Sequence, residues 1–296
     1  MKKLNWLANI RENHRVGFGI LLSVVAMFMY ALMDAVSKHL TVTYEVQQIL
    51  VVRFWFFFAF TFLIIRRNGF ISSLKTDHVA LQIIRSLILI AEIGVAVVSF
   101  SLIPLADFHA LLVFAPIIVT VLSAIFLRET ISPRGWMAVL IGLCGALIII
   151  RPGVSVISIT SLLPLFGAIL WAVYQVLTRL VSRSDSSETS LAYAALTGMV
   201  IFSAVAPFYW QPPDLEGWIL LLLAGLLSSC ANYALMKALE LAPASILQPF
   251  NYSLLVWAVI LGVVVFGDIP ETLTLVGSAI IVFAGIYARN NIKTYS

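Results

Sequence analysis

Residues 16–38 read VGFGILLSVVAMFMYALMDAVSK, and residues 161–179 read SLLPLFGAILWAVYQVLTR. Each is an apolar run that turns polar and then basic near its end. Setting Tyr30 on Trp171 puts Asp34 on Gln175 and Lys38 on Arg179, an offset of 141. Further along, Phe126-Leu127-Arg128-Glu129 finds its counterpart in Phe266-Gly267-Asp268 at an offset of 139, and Gly145 in Gly285 at 140. A near-constant offset over so much of the chain marks a duplication. Its two units are residues 16–151 and 161–289.

Ten apolar runs fill those units: 16–37, 46–66, 82–103, 108–127, 134–150, 161–181, 189–208, 217–236, 244–266 and 271–288. A membrane-spanning helix needs about 20 mostly apolar residues. The breaks carry charge or turn signals, among them Arg66-Arg67-Asn68-Gly69, Arg151-Pro152-Gly153 and Pro212-Pro213. Five runs per unit is an odd number, so the second unit enters the membrane upside down relative to the first. The expected fold is an all-α membrane protein of ten transmembrane helices in two inverted five-helix repeats. Inverted repeats are a transporter device, with a site between the halves near the midplane.

Composition agrees. Of 296 residues, 61% are hydrophobic and 11% charged, and the mean hydropathy is +1.05. Soluble domains average about 45–50% apolar and about 25% charged. That excludes an ordinary soluble protein, a disordered chain and a nucleic-acid module. The net charge is +4, from 18 Lys and Arg against 14 Asp and Glu, with the basic residues scattered. With the N-terminus placed in the cytoplasm, 15 of the 18 basic residues fall inside; Lys38 and Arg151 fall outside, and Arg53 lies within a helix. Both termini are then cytoplasmic in a bacterial inner membrane. The first run lacks a clear cleavage site and is expected to be retained. Cys144 and Cys230 sit in apolar runs and read as small packing residues.

Several motifs resemble a known module. Phe114-Ala115-Pro116, Leu127-Arg128-Glu129 through Ser132-Pro133-Arg134-Gly135-Trp136, and Gly142 with Gly145 are similar to the EamA module of the drug/metabolite transporter superfamily. Ala244, Pro249, Tyr252, Trp257, Phe266-Gly267-Asp268, Gly277 and Gly285 repeat the pattern. Asp268 stands where the family more often has Glu. The resemblance implies a ten-helix carrier with both termini cytoplasmic, and its substrate range is wide.

Ionisable residues in hydrocarbon are functional candidates by default. Glu92 lies seven residues after Arg85, roughly 10 Å into a core about 30 Å thick. It reads as a proton-coupling carboxyl or a cation-binding group, against a structural ion pair with Arg53. Arg53 reads as a clamp for a carboxylate or phosphate, against a fixed pair with Glu92 or Asp34. Asp34 and Lys38 share a helix face and also read as a local pair. Asp107 reads as an N-cap, and His109 as a packing histidine or a pH sensor. Gln248, Asn251 and Tyr252 lie near Pro249 in the ninth run, and Asn232 lies in the eighth; polar groups beside a kink line a cavity or bond between helices. Trp171 and Trp257 fall mid-helix and read as walls for an organic ligand or as packing. Glu129 and Asp268 are expected to cap the next helix or to pair with Arg128 or Arg134.

No Walker A loop, metalloprotease pattern or nucleophile elbow occurs in the sequence, and no Cys/His cluster. No cofactor and no metal ion are expected, and the chain reads as no enzyme. The expected function is a secondary transporter moving a small organic metabolite by alternating access, proton-coupled through Glu92, with export of amino-acid-like metabolites as the leading direction. Uptake of a nutrient such as riboflavin or S-adenosylmethionine is the alternative. A non-transporting membrane enzyme or scaffold is the alternative from another class, and a lipid flippase lies between. Expected partners are membrane lipid and a small organic solute, with a homodimer left open and no nucleic acid.

Overall fold

A computed structural model describes residues 2–66, 70–102, 108, 111–150, 162–261, 264 and 272–292. Twelve helices lie among them: α1 Lys2–Leu40, α2 Val46–Ile65, α3 Phe70–Ser73, α4 Val79–Leu102, α5 Ala115–Phe126, α6 Pro133–Ile150, α7 Leu162–Val181, α8 Ser187–Tyr209, α9 Leu215–Leu241, α10 Ala244–Asn251, α11 Ser253–Leu261 and α12 Thr272–Ile292. No strand occurs among the described residues. A chain this apolar must satisfy its backbone within each segment, and a helix does so. Where helices begin, side chains take up the first free amides. Ser186 accepts from Thr189 N at 3.2 Å, and Asp214 accepts from Gly217 N at 2.8 Å.

Seven segments are long and apolar enough to cross a membrane: His14–Leu40 of α1, α2, Val79–Ser99 of α4, α6, α7, α9, and α10 with α11 as Ala244–Leu261. Two shorter apolar helices, α5 and Thr272–Ala288 of α12, accompany them. Helix α8 opens on the polar stretch Ser187-Glu188-Thr189-Ser190 and stands outside both groups. The run 244–266 differs from the single helix expected. Pro249 cannot donate to the backbone, and the helix stops at Asn251 and restarts at Ser253, leaving Tyr252 at the break.

Most of the helix contacts are matched when the halves are exchanged, α1 for α7, α2 for α8, α4 for α9, α5 for α10–α11 and α6 for α12. Helix α1 packs on α9, and α4 on α7; α2 packs on α9, and α4 on α8. Helix α1 packs on α11, and α5 on α7, while α2–α8, α5–α10 and α6–α12 pair equivalent helices. Lipid tails offer helices little hydrophobic reason to associate, so close backbone approach matters. Gly145 and Gly277 provide it at the α6–α12 crossing. A Cβ on Gly145 would lie 2.8 Å from the Gly277 carbonyl, and one on Gly277 would lie 2.6 Å from the Gly145 carbonyl.

Among the described residues, one end of the bundle carries several polar ties between the halves. There Asp185, between α7 and α8, accepts from Thr76 Oγ1 at 2.6 Å and Gln82 Nε2 at 2.7 Å. Arg85 is fully buried and donates to the Ser190 carbonyl at 2.5 Å, with its guanidinium over the Tyr174 ring. Arg183 donates to the Leu127 carbonyl at 2.8 Å. At the other end, the ties among the described residues run from α2 and the turn before it to α8, α9 and the turn between them. Tyr44 donates to Asp214 at 3.1 Å, and Gln48 exchanges bonds with the Gln211 backbone at 2.6 and 3.0 Å.

Candidate functional site: a charged cavity between the halves

Helical spacing aims residues of both halves at one internal cavity of about 840 Å³, a volume that includes space open at its mouth. Helix α1 gives Met27, Tyr30 and Asp34, three and four residues apart on one face. Helix α4 gives Leu89, Glu92, Ile93 and Ala96 on a single stripe. Arg53 enters from α2; Phe108, Leu112 and Pro116 come from the fourth apolar run. The second half contributes Trp171 from α7, Asn232 from α9, Asn251 from α10, Tyr252 at the break, and Leu254 and Leu255 from α11.

Charge is concentrated on the first half. Asp34, Arg53 and Glu92 are all buried and within electrostatic reach of one another. The Arg53 Nε donates to Ser228 Oγ at 2.8 Å, which fixes its stem against α9. Glu92 makes no hydrogen bond or ion pair with a described residue, so the alternative of a fixed pair between Glu92 and Arg53 is not what the structure has. Two acids and one base leave a lining that is acidic by one charge if all three ionise.

Behind the cavity lies a neutral network. Gln248 Nε2 donates to the Ala244 carbonyl at 2.7 Å, its Oε1 accepts from Asn251 Nδ2 at 3.0 Å, and Asn251 Oδ1 accepts from Ser23 Oγ at 2.8 Å. Gln175, the counterpart of Asp34, joins at 3.3 Å from Gln248.

The cavity thus brings together Glu92, Arg53, Asp34, Asn232, Asn251, Tyr252 and Trp171. Gln248 stands one layer behind it, and Lys38, in the last turn of α1, is not among its lining residues. Trp257 packs edge-on against Phe28 with ring centroids 5.0 Å apart and does not line it. Asp107, His109 and Asp268 lie outside the described residues. Sequence reasoning passed over Tyr30 as a site residue, although its counterpart Trp171 was singled out. The two rings meet edge to face at 5.4 Å. Glu129 departs from expectation: it caps a remote helix, accepting from Ala244 N, Ser245 N and Ser245 Oγ at 3.1, 3.0 and 2.6 Å, and pairs with Arg179 at 3.6 Å. The start of α10 offers it free amides that no local partner offers.

A multi-pass membrane protein with a partly polar cavity between two halves belongs to the class of transport proteins. Comparison with known proteins specifies the class. The profile of the EamA-like transporter family matches the chain twice, over residues 17–151 and 158–288. The chain belongs to that family, and so to the drug/metabolite transporter superfamily. It is 29% identical over 272 residues to a riboflavin transporter of Vibrio cholerae, covering 90% of this chain and 91% of that protein. It is 25% identical over 277 residues to an S-adenosylmethionine uptake transporter of Rickettsia bellii, covering 93% and 94%. A pseudopaline exporter of Pseudomonas aeruginosa is 27% identical over 270 residues, covering 90% and 94%. A solved crystal structure shares the fold with a TM-score of 0.78 at 17% identity, over 91% of this chain and 96% of that one. The family and these relatives are transporters rather than enzymes.

Proposed function

We propose that the chain is a secondary carrier of ten membrane helices, built as two inverted five-helix repeats over 16–151 and 161–289, that moves a ring-bearing metabolite by alternating access. Riboflavin is the first candidate and uptake the first direction. The single observation that carries the reading is the cavity: both halves line it, and Asp34, Arg53 and Glu92 are held inside it among aromatic walls. The exchange-symmetric packing of the helices supports the repeats, because an approximate two-fold axis relating the halves requires it. The basic-residue asymmetry supports cytoplasmic termini and an orientation with Asp34 towards the outside. The bacterial relatives support an inner-membrane location.

Glu92, a buried carboxyl without a hydrogen-bond or ion-pair partner among the described residues, is the coupling group in this reading. It holds a proton in one state of the cycle and releases it in the other. The experiment is uptake of labelled riboflavin into vesicles reconstituted with the purified chain, with and without a pH gradient. Wild type accumulates riboflavin when the outside is acidic. Glu92→Gln keeps exchange of internal for external riboflavin but loses the response to pH. Unchanged pH-driven accumulation in Glu92→Gln removes the coupling role, and no riboflavin movement in wild type removes the substrate. The pseudopaline exporter supports a second reading, outward movement. Net efflux faster than net uptake under the same gradient selects it.

A further inference from the structure

Glu92 and Asn232 stand 140 positions apart, the offset of the duplication, and both line the cavity. The second half therefore presents an amide where the first presents a carboxylate. Polar atoms of Asn232 and of two other lining residues have no partner among the described residues. Asn232 Nδ2 donates to the Ser228 carbonyl at 2.9 Å. A carbonyl oxygen only accepts, so the amide cannot be flipped, and Oδ1 is left over as an acceptor. It is buried without a hydrogen-bond partner, and so are the hydroxyls of Tyr252 and Tyr30. Asn232 is 1% exposed, Tyr252 2% and Tyr30 7%. Asn251, by contrast, is spent on Ser23 and Gln248. A buried polar atom left unpaired is costly. Three around one cavity are free to meet polar atoms that the cavity's occupant supplies.

The free set is one obligatory acceptor and two hydroxyls able to donate. Its complement is an N–H beside carbonyl oxygens. Trp171, Tyr30 and Phe108 on the same lining offer apolar ring surface to a flat molecule. We infer that the part of the cavity lined by Asn232 and Tyr252 of the second half and Tyr30 of α1 is a subsite for the imide edge of a planar heterocycle, with Asn232 Oδ1 receiving the ring N–H and the Tyr30 and Tyr252 hydroxyls donating to the flanking carbonyls. The inference rests on the reading above only in taking this cavity as the substrate site. It divides labour within the cavity: the neutral wall selects the ring, and Asp34, Arg53 and Glu92 face the rest of the solute. Riboflavin carries an imide edge; S-adenosylmethionine does not.

The test measures the affinity of the purified full chain for riboflavin, lumichrome and uridine, each beside its N3-methyl derivative, which keeps the ring and loses the N–H. Wild type is expected to bind at least one parent, and to bind its N3-methyl form tenfold or more weakly. Asn232→Leu is expected to weaken the parent by a similar factor and to leave the N3-methyl form unchanged; a purely structural effect would weaken both alike. Tyr252→Phe, which keeps the shape of the site, is expected to weaken parent binding several-fold and guards against misfolding of the Asn232 variant. The inference is overturned if no imide-bearing ring binds, or if parent and N3-methyl forms bind equally. Riboflavin bound without regard to N-methylation leaves the carrier's substrate standing and removes the subsite. Uridine bound and riboflavin refused does the reverse.

Discussion

Tyr252 is where a single residue controls the site. Its ring lies over Gly142 of α6, and a Cβ on Gly142 would stand 2.5 Å from its Cδ2 and 2.8 Å from its Cε2. The ring belongs to a packed interior and has to shift bodily. Gly142→Ala is therefore expected to lower the melting temperature, by an overpacking cost of about 1–3 kcal/mol, and also to weaken substrate binding. Gly198 supplies the control. Its Cβ would fall 2.1 Å from Cδ1 of Phe54, which stacks on Phe202 at 5.1 Å and does not line the cavity. Gly198→Ala should destabilise without a matching change in affinity once binding is measured well below the transition. Equal effects of both substitutions on affinity would show that Tyr252 has no special place. The residues of this site were unevenly legible in the sequence. Glu92, Arg53 and Asp34 announced themselves, because charge in an apolar run is rare. Asn232 and Asn251 were visible as polar groups, but not their difference: one is spent in a network and the other is free. That depends on which partners the fold brings near, and no spacing rule contains it.

At the scale of elements, the described parts of the apolar runs lie largely on helices, and seven segments are long and apolar enough to cross a membrane. Length and hydropathy are local properties, so this much was legible. The role of Glu129 was not, because its partners lie more than a hundred residues away at the start of α10. The turn that aims it is a left-handed one: Arg128 has φ 54°, and Glu129 N donates to the Ser123 carbonyl at 3.2 Å. A β-branched residue is poorly suited to that conformation, at a cost of roughly 1–2 kcal/mol. Arg128→Val is expected to lower the melting temperature, whereas Arg128→Gly should leave it unchanged or raise it. If Val is tolerated as well as Gly, the turn is not constrained as described. The cap itself is tested by Glu129→Ala. Losing an acceptor at a helix start costs about 1–2 kcal/mol, and here the ion pair with Arg179 goes with it. Glu129→Ala should therefore destabilise more than Ser245→Ala, which removes only one of the three bonds to the carboxylate. The reverse order in thermal melts would assign the stabilisation to Ser245.

For the molecule as a whole, the ties that join the halves among the described residues have a consequence for access. Asp185, Arg85, Glu129 and Arg183 join the halves at the end where α4 and α10 begin. In the proposed orientation that end is cytoplasmic, and the described ties at the outer end run through α2, α8 and α9 and their flanking turns. A carrier tied in this way at its cytoplasmic end is expected to admit its solute from outside. Access is readable with a cysteine at Leu112, which lines the cavity, placed in a chain whose Cys144 and Cys230 have been replaced by alanine. A membrane-impermeant thiol reagent should label Leu112→Cys from the outside of intact cells, and substrate should slow the labelling. Asp185→Asn weakens the acceptor that holds both Thr76 and Gln82. Hydrogen bonds to a charged acceptor are about twice as strong as neutral ones, so the substitution should release the cytoplasmic latch in part. Added to the Leu112→Cys chain, it is expected to slow labelling from outside and speed it in inside-out vesicles, because an equilibrium moved towards one opening must leave the other. Faster labelling from both sides would mean that Asp185 supports the fold in general. No change on either side would mean that the latch is held elsewhere, with Glu129 and Arg179 the next residues to release.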